Sequence, residues 1–255
     1  MTGVAVEVAG LTKRYGEVTA VRDLSFVVRP GAVTAFLGPN GAGKSTTLRM
    51  IVGLVAPSSG TARIGGRPYR SIPRPSSVVG AAFPGAAVHP RHTARAHLRV
   101  YAAMGGYPDR RVDELLDLLE LTGAADRHVA GFSTGMRQRL GLATALLGDP
   151  PVLLLDEPGN GLDPAGIAWL RTFLRGLADA GRTVLVSSHA LAEVQQSADD
   201  VVLVSDGRLV AAGGYDELAA TAGLPVQRPA AEPAGLERLF LDLTAQRRGD
   251  DRCNS

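Results

Sequence analysis

Cysteine is almost absent from this 255-residue chain: Cys253, in a polar tail, is the one copy. An internal disulfide is thereby excluded, and a cysteine-bound metal has no ligand set. No apolar run approaches the roughly 20 residues needed to cross a bilayer. The start, Met1 to Glu7, lacks the basic lead of a secretory signal and carries an early acid, so a cytoplasmic protein is expected. Acidic residues are missing from Leu24 through Pro108, a stretch that holds Arg29, Lys44, Arg49, Arg63, Arg67, Arg70, Arg74, Arg91, Arg95 and Arg99. The net charge of +2 hides this asymmetry. Such a segment suits an anionic partner or the anionic face of a membrane. An arginine-rich surface from a compositionally biased genome would look the same. Aromatics make up only 5% of the chain, which argues against a stacking platform for single-stranded nucleic acid. Internal repeats and heptad runs are missing too.

What is present begins with a core: 45% of residues are hydrophobic, ample for one large or two small domains. The decisive stretch is Gly38-Pro39-Asn40-Gly41-Ala42-Gly43-Lys44-Ser45-Thr46. It fits G-x-x-x-x-G-K-[ST] without mismatch. The apolar run Val33 to Leu37 precedes it and a helical pattern from Thr47 follows, the strand–loop–helix setting the motif requires. Glycines let successive backbone N–H groups surround a polyphosphate at the positive end of the helix. Lys44 then reaches the β- and γ-phosphates, and the Ser45 hydroxyl is placed for Mg²⁺. The chain is expected to bind a nucleoside triphosphate.

Around this loop, Val4 to Val8 and Leu24 to Val28 alternate as half-buried strands, and Thr61 to Ile64 reads as another. The Pro-, Gly- and Ala-rich stretch from Ser71 to Pro90 reads as loop. Helical patterns cover Ala94 to Met104 and Arg110 to Leu121, and a third helix runs from an N-cap at Ser133 to Leu147. Val152 to Leu155 and Thr183 to Ser187 are short apolar runs flanking a helix at Pro164 to Asp179, the pattern of parallel strands with crossovers. Val201 to Val204 and Arg208 to Ala212 form a hairpin about Asp206-Gly207. Beyond Gly223 a short helix at Pro233 to Gln246 precedes a polar tail.

Two more motifs follow the phosphate loop. Val152-Leu153-Leu154-Leu155-Asp156-Glu157 is a buried strand ending in two acids, one suited to Mg²⁺ and the next to orienting the attacking water. Phe132-Ser133-Thr134-Gly135-Met136-Arg137-Gln138-Arg139 lies between. Together these resemble ATP-binding-cassette (ABC) ATPases, and the bacterial drug and antibiotic exporters of daunorubicin and bacitracin type in particular. Tyr15 resembles the aromatic that stacks on adenine, Gly161-Leu162-Asp163-Pro164 the loop after the catalytic acid, and His189 the switch histidine. The resemblance spans residues 4 to 215. It implies an α/β P-loop NTPase (RecA-like) core with a small antiparallel β subdomain and an inserted α-helical subdomain. The implied cassette is 1–222, with 1–84 and 150–222 as core and 85–149 as helical subdomain; 223–255 is an extension. ATP and Mg²⁺ are the implied cofactors. Glu157, His189 and Lys44 are implied as catalytic, Ser45 and Asp156 as metal-binding, and Tyr15, Gly38 to Thr46, Ser133, Gly135 and Asp163 as nucleotide-binding.

The resemblance also implies partners: a second cassette, identical or not, whose Ser133 and Gly135 counterparts complete each ATP site, and a separately encoded transmembrane permease. The chain would then sit on the inner face of the cell membrane, with no nucleic-acid partner. The pattern is broken at Pro84: aligning Val79 to Phe83 with the strand that ends in a Gln in most cassettes puts Pro84 at the Gln position, and no Gln occurs from Thr47 to Arg137. Proline has no polar side-chain atom and no N–H, so slow turnover is expected. Thr134 and Met136 also depart from the usual signature residues. Two alternatives stand beside the exporter: a soluble cassette ATPase acting on ribosome or nucleic acid, and a weakly hydrolysing regulatory cassette. Translation-type relatives carry two cassettes and repair types a long coiled coil, neither of which occurs in this chain.

Overall fold

The computed structural model describes residues 3–85, 88–189 and 198–221. In chain order it contains β1 (Val6–Tyr15), β2 (Val18–Val28), β3 (Val33–Leu37), α1 (Lys44–Ile51), β4 (Ser59–Ile64) and β5 (Val79–Ala82). Three helices follow: α2 (Ala94–Gly105), α3 (Asp109–Leu118) and α4 (Thr134–Ala145). Then come β6 (Val152–Asp156), α5 (Pro164–Asp179), β7 (Thr183–Ser188), β8 (Asp200–Ser205), β9 (Arg208–Gly214) and α6 (Tyr215–Thr221). The helix read at Pro233 to Gln246 and the tail after it lie outside the described residues.

Burial sorts the strands into two sheets. Along β2 the C-terminal half alternates buried and exposed, so one face is solvated, as antiparallel strands allow. β1, β2 and β4 make a three-stranded antiparallel sheet in the order β2-β1-β4. Every residue of β3 and β6 is buried instead, the mark of a parallel sheet covered on both faces. They belong to a six-stranded sheet ordered β5-β6-β7-β3-β8-β9, parallel except for β9. The period of 2 then divides β6 between two cores. Leu153 and Leu155 pack with Leu98, Leu115 and Leu140 of the helices, while Val152 and Leu154 pack with Leu48 and Ile51 of α1.

The segment whose composition reads as loop from Ser71 to Pro90 contains β5, on the stretch that the resemblance aligns with a strand. Gly80 explains the disguise: a Cβ there would fall 2.1 Å from the Ala145 carbonyl oxygen, so only glycine lets α4 approach the strand. α3 stops at Leu118 rather than Leu121. Glu120 takes a left-handed φ of 55°, and the Leu121 N–H reaches back to the Leu116 carbonyl at 2.7 Å, closing the helix while Leu119 and Leu121 stay buried. Asp149 ties this region to the sheet by accepting from Arg111 at 3.1 Å and Arg182 at 2.7 Å. The Arg182 hydrogen bond, foremost, holds its carboxyl below the usual carboxylate range.

Part of the acid-free segment is paired with acids from later in the chain. Arg95 pairs with Asp113 and, at 3.0 Å, with Asp126; Arg99 meets Asp109 at 3.3 Å; Arg29 meets Asp200 at 2.8 Å. Arg95 is therefore a brace inside the helical region rather than a free surface cation.

Candidate nucleotide site

Three adjacent parallel strands, β6-β7-β3, end at one edge of the sheet. Leu37 stands opposite Ser188, and Asp156 opposite Ser187. The loops after β3, β6 and β7 thus open side by side at the carboxyl end, where α/β sheets hold ligands.

The first of these loops runs from Gly38 to Gly43 and enters α1 with no side-chain cap. The first N–H groups of the helix therefore face the loop. Gly43 has φ 94°, and a Cβ on it would lie 2.5 Å from the Ala20 carbonyl oxygen of β2. A Cβ on Gly38 would lie 2.3 Å from the Val204 carbonyl oxygen. Both glycines are required by close backbone approach, and Gly41, with φ 84°, by conformation. Lys44 opens α1 and is only 5% exposed. Its Nζ donates to the Gly38 carbonyl at 2.6 Å and lies 3.2 Å from Glu157 Oε1.

Asp156 ends β6 and is buried. Its Oδ1 accepts from Ser45 Oγ at 3.0 Å and from Ser187 Oγ at 2.7 Å. Its Oδ2 is buried with no hydrogen-bond partner among the described residues. An orphaned carboxylate oxygen is costly unless something binds it. A hard divalent cation fits the pair Asp156 and Ser45, with phosphate and water oxygens supplying the remaining ligands. Glu157 follows in the left-handed region, φ 50°. Its carboxylate spans the cluster, one oxygen at Lys44 and the other 2.8 Å from His189 Nδ1. Lys44, Ser45, Asp156, Glu157 and His189 are thus gathered at one place.

Ser133, Gly135 and Asp163 are gathered elsewhere. They line a cavity of about 500 Å³, whose wall includes Trp169 but none of those five residues. Ser133 caps α4, accepting the Met136 N–H at 3.3 Å, and Asp163 caps α5, accepting the Gly166 N–H at 2.8 Å. Arg139 lies 4.0 Å over the Trp169 ring and pairs with Glu120. Tyr15, half exposed at the end of β1, has the Lys13 ammonium 4.9 Å from its ring centre.

The sequence profile described as ABC transporter matches residues 21–160. The chain belongs to the ABC transporter family. Nod factor export ATP-binding protein I of Paraburkholderia xenovorans is 39% identical over 231 residues, covering 87% of this chain and 74% of that protein. Bacitracin transport ATP-binding protein BcrA of Bacillus licheniformis is 39% identical over 220 residues, 84% of this chain and 71% of its own. A solved ATP-binding subunit of an ABC transporter superposes with a TM-score of 0.76 at 32% identity, over 94% of this chain and 99% of that one. The chain is accordingly an ATP-binding, ATP-hydrolysing member of the family, with the P-loop fold of its ATPase cassettes. Among the described residues no helix is long and apolar enough to cross a membrane.

For an ABC ATPase, Pro84 stands out. It follows β5 and lines a cavity of about 480 Å³ that reaches Asp156 on one side and Gln138 of α4 on the other. No polar side chain projects from position 84 itself. Two groups in this part of the molecule escaped the sequence reading. Ser187 bonds both acids of the strand end, accepting the Glu157 N–H at 2.8 Å. His97, buried in α2, lies 3.1 Å from Thr144 Oγ1. The Thr144 proton goes to the Leu140 carbonyl at 2.8 Å, so His97 donates through Nε2. Burial, foremost, and the nearby His92 push this imidazole below its ordinary value of 6.5. The apolar run ending Ser187-Ser188-His189 was the available hint for the first; nothing local marks the second.

Proposed function

We propose that the chain is the ATPase subunit of an exporter, acting as a pair of cassettes beneath a separately encoded membrane permease. The observation that carries the chemical part is the unpartnered Asp156 Oδ2 beside Ser45, next to a Glu157 carboxylate held between Lys44 and His189. Support for export comes from relatives named for Nod factor export and bacitracin transport. Residues 1–222 form the cassette in this reading, and 223–255 an extension.

The loop N–H groups of Gly38 to Thr46 and the Lys44 ammonium would bind the β- and γ-phosphates of ATP. Ser45 and Asp156 would hold Mg²⁺, which when bound neutralises charge on the phosphate oxygens. Glu157 would take the proton of the attacking water, and His189 would steady its second oxygen. Tyr15 offers its ring to the adenine, and Asp163 shapes the loop entering α5. Ser133 and Gly135 face a cavity that Asp156 and Glu157 do not line, so the γ-phosphate they serve would belong to a second copy. There the helix dipole and free N–H groups favour an anion. ATP would close the pair, and loss of the γ-phosphate would release it, moving the permease. With Pro84 in place of a polar side chain, intrinsic turnover is slow and the permease raises it.

Purification of the tagged chain from its native cells in mild detergent tests the assembly. A multi-spanning membrane protein should accompany it at the inner face of the membrane. Ribosomal proteins or nucleic acid without one would overturn the export reading. Exposed Arg91 is the cation to reverse in the same assay: Arg91→Glu should weaken assembly, whereas Arg95→Glu would break the Asp113 and Asp126 pairs and confuse the result.

A further inference from the structure

Ser187 sits where the parallel pairing of β6 and β7 brings it opposite Asp156, and it is fully buried. A hydroxyl has one proton to give and lone pairs to receive. This one gives its proton to Asp156 Oδ1 at 2.7 Å and receives the Glu157 N–H at 2.8 Å. A single side chain thus grips the first acid by its carboxylate and the second by its backbone.

Two consequences follow from the geometry. Ser45 and Ser187 together engage Oδ1, so the carboxylate cannot turn without breaking a short buried bond, and Oδ2 is the oxygen left over. Glu157 also holds a left-handed φ of 50° that disfavours residues with a Cβ. An acceptor fixed on its N–H holds the kink that brings its side chain back between Lys44 and His189.

We infer that Ser187 is the positioning residue of the strand end, aiming Asp156 Oδ2 at the divalent cation and Glu157 at the water. It touches neither substrate nor metal in this role and acts through the two acids, much as outer-shell partners orient metal ligands. The inference rests on the reading of Asp156 as metal-holding and Glu157 as base.

The test uses the purified full-length chain and its variants Ser187→Ala, Ser187→Cys and Glu157→Gln. Mn²⁺ affinity in the presence of a non-hydrolysable ATP analogue is read by electron paramagnetic resonance, alongside kcat and KM for ATP and the melting temperature. Ser187→Ala should lower Mn²⁺ affinity and kcat by roughly 10- to 100-fold with KM for ATP little changed. Ser187→Cys, close in size with a weak donor, should fall between, and it serves if the alanine variant does not fold. Wild-type Mn²⁺ affinity and kcat in a folded Ser187 variant, with only the melting temperature lowered, would reduce Ser187 to a packing role and overturn the inference. Glu157→Gln separates the parent reading: it should lose turnover while keeping Mn²⁺ affinity. Wild-type turnover in that variant would overturn the assignment of Glu157 and the inference built on it.

Discussion

The two groups of candidate nucleotide-site residues in this chain are built in opposite ways. At the ends of β3, β6 and β7, Lys44, Asp156 and Glu157 are buried or nearly so, and each is tied to a neighbour on another element. At the start of α4, Ser133 is exposed, Gly135 is partly so, and the Ser133 hydroxyl is engaged by its own helix as a cap. Groups that must hold charge at close quarters are braced by three strands; groups offered to an incoming phosphate are braced only by a helix end. In the proposed pairing, one chain would hold the chemistry of its own site and present, from a separate cavity, the lid for its partner's.

The largest expected effect strikes the braced group. Glu157→Gln should lower phosphate release by about 10²- to 10⁴-fold while ATP still binds, since the amide cannot take a proton. Unchanged phosphate release would remove Glu157 from the chemistry. Next comes the offered group: Ser133→Arg should cut turnover by about 10²-fold. It should leave ATP affinity of the monomer intact and abolish ATP-driven dimers in gel filtration. Loss of monomer ATP binding instead would mean that the two groups serve the same nucleotide. A smaller change of opposite sign is expected from Pro84→Gln, which restores a polar side chain near Asp156 and should raise kcat a few-fold in steady-state assays. No gain would remove Pro84 as a determinant of the rate.

The smallest effect is on stability. His97 braces α2 on α4, and burial lowers its pKa, so below its ordinary value of 6.5 the unfolded chain takes up the proton first. Its stabilising contribution is present above that pH and is lost as pH falls through the lower folded value. Melting curves of His97→Gln should therefore depend less on pH than wild type as pH falls below about 6.5. An equally steep decline in both would remove His97 as the titrating group.

Both groups were legible in the sequence as motifs, and the reason is local. The phosphate loop needs its glycines because backbone from β2 and β8 presses against Gly43 and Gly38. α5 occupies Pro164–Asp179 as read, because Asp163 and Pro164 supply the cap and the first helical position. What escaped depends on pairing at a distance. Ser187 gains its meaning from register with Asp156, 31 residues away along the chain. Composition alone hid β5 among small residues because α4 needs Gly80 beneath it, and only the resemblance aligned a strand there. Arg29, Arg95 and Arg99 looked like free cations of the basic stretch because their acids, Asp200, Asp113, Asp126 and Asp109, come later in the chain. Counting charge along a sequence cannot see which of them fold back.

The division of one ATP site between two copies is tested most directly by mixing. Glu157→Gln and Ser133→Arg chains, each inactive alone, are combined in equal amounts and assayed for phosphate release. In a mixed dimer one site joins an intact strand end to an intact signature helix, while the other carries both defects. Phosphate release should rise above that of either component, to at most about a quarter of the wild-type rate, the figure for random pairing and independent sites. A mixture as inactive as its components would contradict the shared site and return both groups to a single chain.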